Sequence, residues 1–382
     1  MLKEVFENTR NKLNTVGCGF CLAKWTQVTM HLHNGTTHSC HHPKPHKIPL
    51  EEILSNPTAL HNTKFKKEIR KEMLDNKKPD ECDYCWNIEG ASYAFSDRTL
   101  KSSEPWSAPY LEDILKSGWK KNYNPKYVEV SFSNTCNFKC SYCGPLYSSK
   151  WMEEINTHGP YKTSTNYNDV EWFKKEDTMP YLASDKNPYV DAFWKWWPEM
   201  YQDLHTFRIT GGEPLLNKDT FKILDYIIET PTPNKKLSLC INSNLGIPKK
   251  LFDEFVNKIE KILDKELVHE FIIFTSCDTW GPQAEYIRNG FDYNLFKERI
   301  DFLLDKFKPL TIDIMSTYNA LSVPNYKYLI EDVAELKKRH HNPYRYWGSS
   351  LLLDSSYLRF PEHQTVKILE DSWVTAIDEQ AK

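Results

Sequence analysis

The chain has 382 residues, 40 % hydrophobic and 26 % charged, with a formal net charge of −3. These are the proportions of a globular protein with enough apolar matter for its own core. The mild acidity gives no electrostatic case for a nucleic-acid surface, and no apolar run approaches the roughly 18 residues that a membrane helix needs. Met1-Leu2-Lys3-Glu4-Val5-Phe6-Glu7 lacks a signal-peptide core. Ten cysteines without an export signal point to metal or redox use in a cytoplasmic protein, not to a disulfide framework.

Half of these cysteines fall in the first hundred residues: Cys18, Cys21, Cys40, Cys82 and Cys85. Cys21 to Leu32 is expected as a short strand, Asn34-Gly35 carries a hairpin signal, and Thr37 to Cys40 returns on a second strand. Pro49 to Leu54 and Phe65 to Leu74 have helical periodicity, and Cys82-Asp83-Tyr84-Cys85 closes the unit. Four thiolates gathered by a hairpin and a later C-x-x-C knuckle suit zinc or an iron–sulfur cluster equally well by spacing. Cys18 is a spare that could replace Cys21, and His41 and His42, next to Cys40, leave a histidine ligand open. From Thr99 to Asn122 periodicity is lost and Pro105, Pro109 and Gly118 gather. That marks a connector with a short helix near Tyr110 to Lys116.

The apolar run Tyr127 to Ser133 leads into Cys136-Asn137-Phe138-Lys139-Cys140-Ser141-Tyr142-Cys143, a C-x3-C-x2-C loop. Three thiolates can hold three corners of a [4Fe–4S] cube, leaving one iron open to a small molecule. A structural zinc site wants four ligands, often as two C-x-x-C pairs. The loop resembles the cluster loop of the radical S-adenosylmethionine (radical SAM) enzymes. Farther on, Ile209-Thr210-Gly211-Gly212-Glu213-Pro214-Leu215 resembles that family's Gly-Gly-Glu-Pro turn, where glycines permit close backbone approach.

The resemblance implies that Cys136, Cys140 and Cys143 hold the catalytic cluster, with Tyr142 beside the cofactor. Gly211, Gly212 and Glu213 would receive the amino group of SAM. Reductive cleavage of SAM would give methionine and a 5′-deoxyadenosyl radical that abstracts a substrate hydrogen. The N-terminal order of a Cys, a Trp-bearing strand, an Asn-Gly turn, a Cys, a helix and a final C-x-x-C resembles the SPASM/twitch auxiliary domain of the same enzymes. In known members that domain usually follows the barrel. It implies that Cys21, Cys40, Cys82 and Cys85 ligate one auxiliary [4Fe–4S] cluster.

Gly144 to about Asp203 reads as an irregular stretch in which Trp151, Trp172, Trp194, Trp196 and Trp197 recur, placed to cover a radical. Strands are then expected at Leu204 to Thr210, Lys236 to Ile241, Phe271 to Ser276, Leu310 to Thr317 and Tyr346 to Leu353. Helices are expected at Lys218 to Glu229, Pro248 to Leu263, Tyr293 to Phe307 and Tyr326 to Arg339. Six strands alternating with helices imply an α/β fold with a parallel sheet and right-handed crossovers. The resemblance specifies a partial (β/α)6 TIM-like barrel over residues 123–360. It is preceded by a small Cys-rich α+β twitch-like domain (1–98) and a connector (99–122), and followed by a tail (361–382). Both signature loops follow strands, where barrel chemistry sits.

Asn242-Ser243-Asn244-Leu245-Gly246 resembles the family's turn contacting the ribose and carboxylate of SAM, which assigns Ser243 and Asn244; a plain Asn- and Ser-rich turn is the other reading. Ser276-Cys277-Asp278 resembles a Ser-x-Asp element touching the ribose. Met315, Ser316, Thr317 and Asn319 end the fifth strand near the substrate or adenosyl site, and Leu351 to Leu353 could pack on the adenine. Cys240 reads as a buried small hydrophobe, and Cys277 as a loop thiol placed to give a hydrogen atom.

The expected function is radical peptide modification forming a thioether or carbon–carbon link, with an electron donor such as flavodoxin or ferredoxin. The alternative is a radical SAM dehydrogenase or epimerase acting on a sugar or amino-acid derivative. A non-catalytic iron–sulfur or zinc protein is the third reading.

Overall fold

A computed structural model describes residues 2–91, 94–182, 184–343 and 349–381. They divide between two units, Met1–Ser131 with Ser184–Phe207, and Phe132–Ala183 with Arg208–Lys382.

In the first unit β1 (Gln27–His31) runs antiparallel to β2 (Thr36–His38), and β2 to β3 (His46–Lys47). On its other edge β1 pairs in parallel with β4 (Tyr127–Ser131). The Asn-Gly turn forms as expected. Gly35 has φ 70°, and a Cβ there would lie 2.1 Å from the Tyr189 ring, so only glycine fits. The strand expected from Cys21 is shorter than the sequence implied, because Ala23–Thr26 is a helical turn. The Thr26 amide and hydroxyl both donate to the Leu22 carbonyl, each at 3.0 Å, a back-bond that competes with extended structure. The turn also drives Trp25 into a core of Leu13, Phe20, Leu22 and Met73. Helices Leu50–Ser55 and Lys64–Leu74 lie where periodicity put them. The connector region is more ordered than expected, with helices Asp97–Ser103 and Leu111–Ser117.

The stretch read as irregular holds three helices, Ser149–His158, Val170–Lys175 and Pro188–Asp203. The last buries Tyr189, Phe193, Trp196, Trp197, Met200 and Tyr201, an apolar stripe at helical spacing. Asn187 caps it by accepting from the amides of Tyr189 and Val190, with Pro188 in the first turn, as helix starts favour. Pro198 lies inside this helix, where a proline lacks the N–H for a helical bond, and the aromatic packing carries the helix through it.

The second unit opens with the short strand β5 (Lys139–Cys140). The C-terminal part of β6 (Thr206–Thr210) lies beside β7 (Ser238–Asn242), which pairs in parallel with β8 (Glu270–Ser276). A two-residue strand β9 (Arg288–Asn289) returns antiparallel to β5. β10 (Thr311–Tyr318) and β11 (Leu351–Tyr357) then extend the parallel sheet in order. This is the expected α/β architecture with a parallel sheet. Helices Lys218–Glu229, Lys249–Asp264, Tyr293–Lys306 and Tyr326–Arg339 connect the strands. On β8, Phe271, Ile273 and Thr275 are buried while the alternate residues are half-buried, and Phe271 meets Phe255 of a covering helix. The last strand begins at Leu351; the part expected over residues 346–348 lies outside the described residues. Among the described residues no helix is long and apolar enough to cross a membrane.

Candidate active site

The cysteine loop is held from three sides. Cys140 sits opposite Arg288 in the β5–β9 pair, and the Ser141 amide donates to the Ile287 carbonyl at 2.7 Å. The start of helix Ser149–His158 grips the loop from a second side. Ser149 Oγ accepts from the Cys136 amide at 3.1 Å, Ser148 Oγ donates to the Phe138 carbonyl at 2.7 Å, and Trp151 Nε1 donates to the Cys140 carbonyl at 2.9 Å. From the third side Gln364 clasps Ser141, accepting from its hydroxyl at 2.8 Å and donating to its carbonyl at 2.9 Å. The Trp-rich stretch thus supports the loop as well as any cover it provides.

Burial pushes the thiols of Cys136 and Cys143 up to about 12, reinforced by the charges of their neighbours in the triad. Cys140 is also raised by burial, with the Arg288 charge opposing it. The loop therefore carries three mutually coupled thiols in a low-dielectric setting. Among the described residues no three His, Cys, Asp or Glu side chains are set to hold a single metal ion. An iron–sulfur cube takes one thiolate per corner, so its thiols need not share the shell of one ion, and three adjacent thiols with an electropositive neighbour fit that group.

The Gly-Gly-Glu-Pro turn docks directly on this loop. The Gly212 amide donates to the Ser133 carbonyl at 3.2 Å and the Glu213 amide to the Thr135 carbonyl at 2.7 Å. A Cβ on Gly212 would lie 2.3 Å from the Thr135 oxygen and 2.7 Å from that of Asn134, and both are backbone atoms that cannot swing away. Gly212→Ala is expected to destabilise the second unit by about 1–3 kcal/mol. Urea unfolding checks this, and an unchanged midpoint would show that the approach is looser.

Glu213 is 1 % exposed. Its Oε1 accepts from Ser243 Oγ at 2.9 Å and the Leu215 amide at 3.0 Å, and its Oε2 from the Asn244 amide at 2.6 Å. Asn244 continues the link, its Nδ2 donating to Asn137 Oδ1 at 2.9 Å, so cluster loop, glutamate turn and Ser-Asn turn form one hydrogen-bonded constellation. Burial lifts the Glu213 carboxyl to about 7 despite those three donors. Ser243 and Asn244, expected as cofactor contacts, are engaged here with Glu213.

Asp278 is fully buried. Its two oxygens accept from Arg288 Nε at 2.8 Å and Nη2 at 3.0 Å, from the Tyr142 hydroxyl at 2.9 Å, and from the Thr317 amide at 2.9 Å. Arg288 also bonds the Tyr142 hydroxyl and reaches Cys140 Sγ at 3.6 Å. Asp278, Tyr142 and Arg288 are therefore a closed ionic network under the cysteine loop. Ser276 ends β8 half-buried on its approach. Cys277 is fully buried, its thiol donating to the Thr279 carbonyl at 3.0 Å, and Cys240 is buried in β7. Arg288, Asn137 and Gln364 were not singled out from sequence. The signal for Arg288 is weak, an arginine in a two-residue strand, and the partners of the other two are far off in the chain.

In the first unit Cys21, Cys40, Cys82 and Cys85 line one small cavity, with Lys24, Trp86 and Arg98 among its walls. Burial raises all four thiols: Cys21 and Cys82 to about 12, Cys85 to about 11, and Cys40 upward. Lys24 pairs with Glu81, and Arg98 Nε bonds Glu89 at 2.9 Å. Cys18 is exposed, its thiol on the Asn76 carbonyl at 3.3 Å. His42 stacks on Tyr84 with centroids 3.5 Å apart and bonds Asp97 at 2.9 Å. The four residues named from the sequence meet, and neither Cys18 nor His42 is among the residues lining the cavity. Four converging thiols suit a fully thiolate-ligated cluster.

No protein-family model matches the chain. It is 29 % identical over 143 residues to the GTP 3′,8-cyclase of Aliarcobacter butzleri (strain RM4018), covering 36 % of this chain and 34 % of that protein. It is 24 % identical over 170 residues to the radical SAM cyclopropyl synthase TigE of Paramaledivibacter caminithermalis (strain DSM 15212 / CIP 107654 / DViRD3), covering 44 % and 30 %. The chain thus spans about a third of the length of these relatives. Streptococcus suis SuiB, in a crystal structure with S-adenosylmethionine, aligns with 95 % of this chain and 71 % of its own at 12 % identity and a TM-score of 0.40. The family that the sequence relatives support for this chain is the radical SAM family.

Proposed function

We propose that the chain is a radical SAM enzyme that removes a hydrogen atom from a peptide substrate and so modifies it. Cys136, Cys140 and Cys143 would hold a [4Fe–4S] cluster that, with SAM and an electron from a flavodoxin or ferredoxin, would supply the 5′-deoxyadenosyl radical. Glu213 receives the amino group of SAM, Ser276 faces the ribose, and Ser243 and Asn244 hold Glu213 in place. Asp278 and Tyr142 act one step back by fixing Arg288 against Cys140. Cys21, Cys40, Cys82 and Cys85 hold an auxiliary [4Fe–4S] cluster in the first unit, closed by four thiolates and suited to passing electrons.

The observation that carries this reading is the single constellation joining the cysteine loop to Glu213 through Asn137 and Asn244. The name of TigE supports radical chemistry, and we extend it to a peptide substrate. The test is 5′-deoxyadenosine formed from SAM and dithionite by reconstituted protein. None from a cluster-loaded preparation would leave the non-catalytic reading.

The raised carboxyl of Glu213 gives a pH signature. A group titrating near 7 carries the negative charge that pairs with the SAM ammonium only once its proton is lost, so SAM affinity should fall about tenfold per pH unit below that value. Glu213→Gln should bind weakly with no such slope, and equilibrium dialysis across the range decides. The same shift makes the folded unit bind its proton more tightly than the unfolded chain does. Its contribution to stability is present below about 4.5 and is lost as pH rises through about 7.

A further inference from the structure

The sheet of the second unit has one face against helices and a second face on which an arginine is laid out. Arg208, rooted on β6, donates from Nε to Asn242 Oδ1 of β7 at 2.9 Å and from Nη2 to Met315 Sδ of β10 at 3.2 Å. Between them its guanidinium lies 3.9 Å over the Phe274 ring of β8. Neighbouring strands are about 4.8 Å apart, so the roots of Arg208 and Met315 stand roughly 14 Å from each other. The two side chains meet over the middle of that face. Arg208 makes no ion pair among the described residues, and a thioether is a weak acceptor.

Asp313 shares this face, in register with Phe274. Its Oδ1 is buried without a hydrogen-bond partner. Burial and the neighbouring Asp354 raise its carboxyl, while the Arg208 charge draws it back. The arginine and the aspartate therefore sense each other but do not bond. Polar groups in native proteins are nearly always satisfied, and an internal structural role would pair these two. Held apart, they offer a cationic fork and an acceptor to something between them.

We propose that Arg208 and Asp313 recognise the substrate, Arg208 taking a carboxylate and Asp313 a nitrogen-bound hydrogen, so that the ligand carries an acidic amino-acid unit. Calling that ligand the substrate rests on the hydrogen-abstraction reading; the carboxylate site itself does not. One guanidinium flanked by Asp313 and Asp354 leaves the local balance negative, which disfavours a phosphate dianion against a carboxylate. The fork geometry of arginine suits a carboxylate bidentately. Either an acidic residue within a peptide or a free acidic amino acid meets this chemistry.

The test is calorimetric binding of three probes to the full reconstituted chain: acetyl-Gly-Glu-Gly-amide, free L-glutamate and inorganic phosphate. One or both carboxylate probes should bind, and phosphate should not compete. Arg208→Met should weaken that binding by at least about tenfold, with Arg208→Lys between the two and Asp313→Asn also weaker. Peptide binding alone assigns the site to a peptide, and glutamate binding alone to a small molecule. Binding unchanged in Arg208→Met, equal competition by phosphate, or no binding of either carboxylate would overturn the proposal. Formation of 5′-deoxyadenosine is measured in parallel. If it is absent while Arg208-dependent binding persists, the reaction reading fails and the carboxylate site stands.

Discussion

Replacing Cys136, Cys140 and Cys143 together by Ala is expected to lower the iron of anaerobically reconstituted protein from about eight atoms per chain to about four, one cube of two being lost. The expectation follows from the way the cysteines are gathered. One triad lies on a loop of the second unit, and the four others line a cavity wholly within the first. The two sets share no ligand, so removing one leaves the other its full complement of thiols. Formation of 5′-deoxyadenosine should vanish with the triad, while acid-labile sulfide should fall in proportion to iron. A different result would be equally clear. Four irons falling to none, with zinc retained, would make the first-unit cysteines a structural zinc site and remove the electron-transfer role proposed for them.

Asp278→Ala should be the most damaging single substitution in the second unit. Asp278 is completely buried and the Arg288 side chain is 8 % exposed, so truncation strands a guanidinium in a low-dielectric interior with only Tyr142 and a thiol nearby. Breaking a buried pair on one side costs about 3–5 kcal/mol. The Thr317 amide would lose its acceptor as well. Removing both charges in Asp278→Ala/Arg288→Met should be markedly less costly than the single change, because no uncompensated charge remains. Denaturant unfolding of these two variants and of Arg288→Met alone closes the double-mutant cycle. A double variant as unstable as Asp278→Ala would mean that the loss lies in packing and not in charge.

The parts legible in the sequence are those that local chemistry dictates. The Asn-Gly turn at Gly35, the helices at Lys218–Glu229 and Tyr326–Arg339 and the parallel strands follow from turn residues and hydrophobic period. The gathering of Cys21, Cys40, Cys82 and Cys85 in one cavity was legible from the hairpin and the later C-x-x-C, and their assignment to an auxiliary cluster only through a resemblance in their order. What sequence did not yield depends on distant partners. Trp25 sits in a helical turn because a core waits for it, and the aromatic stripe from Tyr189 to Tyr201 was masked by its own tryptophans. Ser243, Asn244 and Asp278 were identified through their resemblance to family turns that follow strands. Their bonds to Glu213 and Arg288 depend on which loops meet, and no spacing in the chain encodes that.

The clasp of Gln364 on Ser141 gives the protein a schedule. Ser141 lies between Cys140 and Cys143, yet its restraint is supplied 223 residues later. Translation at about 5–20 residues per second separates the two by roughly 10 to 45 s. Until Gln364 is made the loop lacks one of its three holds, and before Ile287 and Arg288 are made it lacks two. Iron–sulfur delivery to this loop then competes with oxidation of exposed thiols, and a cell starved of cluster supply should accumulate full-length chains whose second unit has matured last.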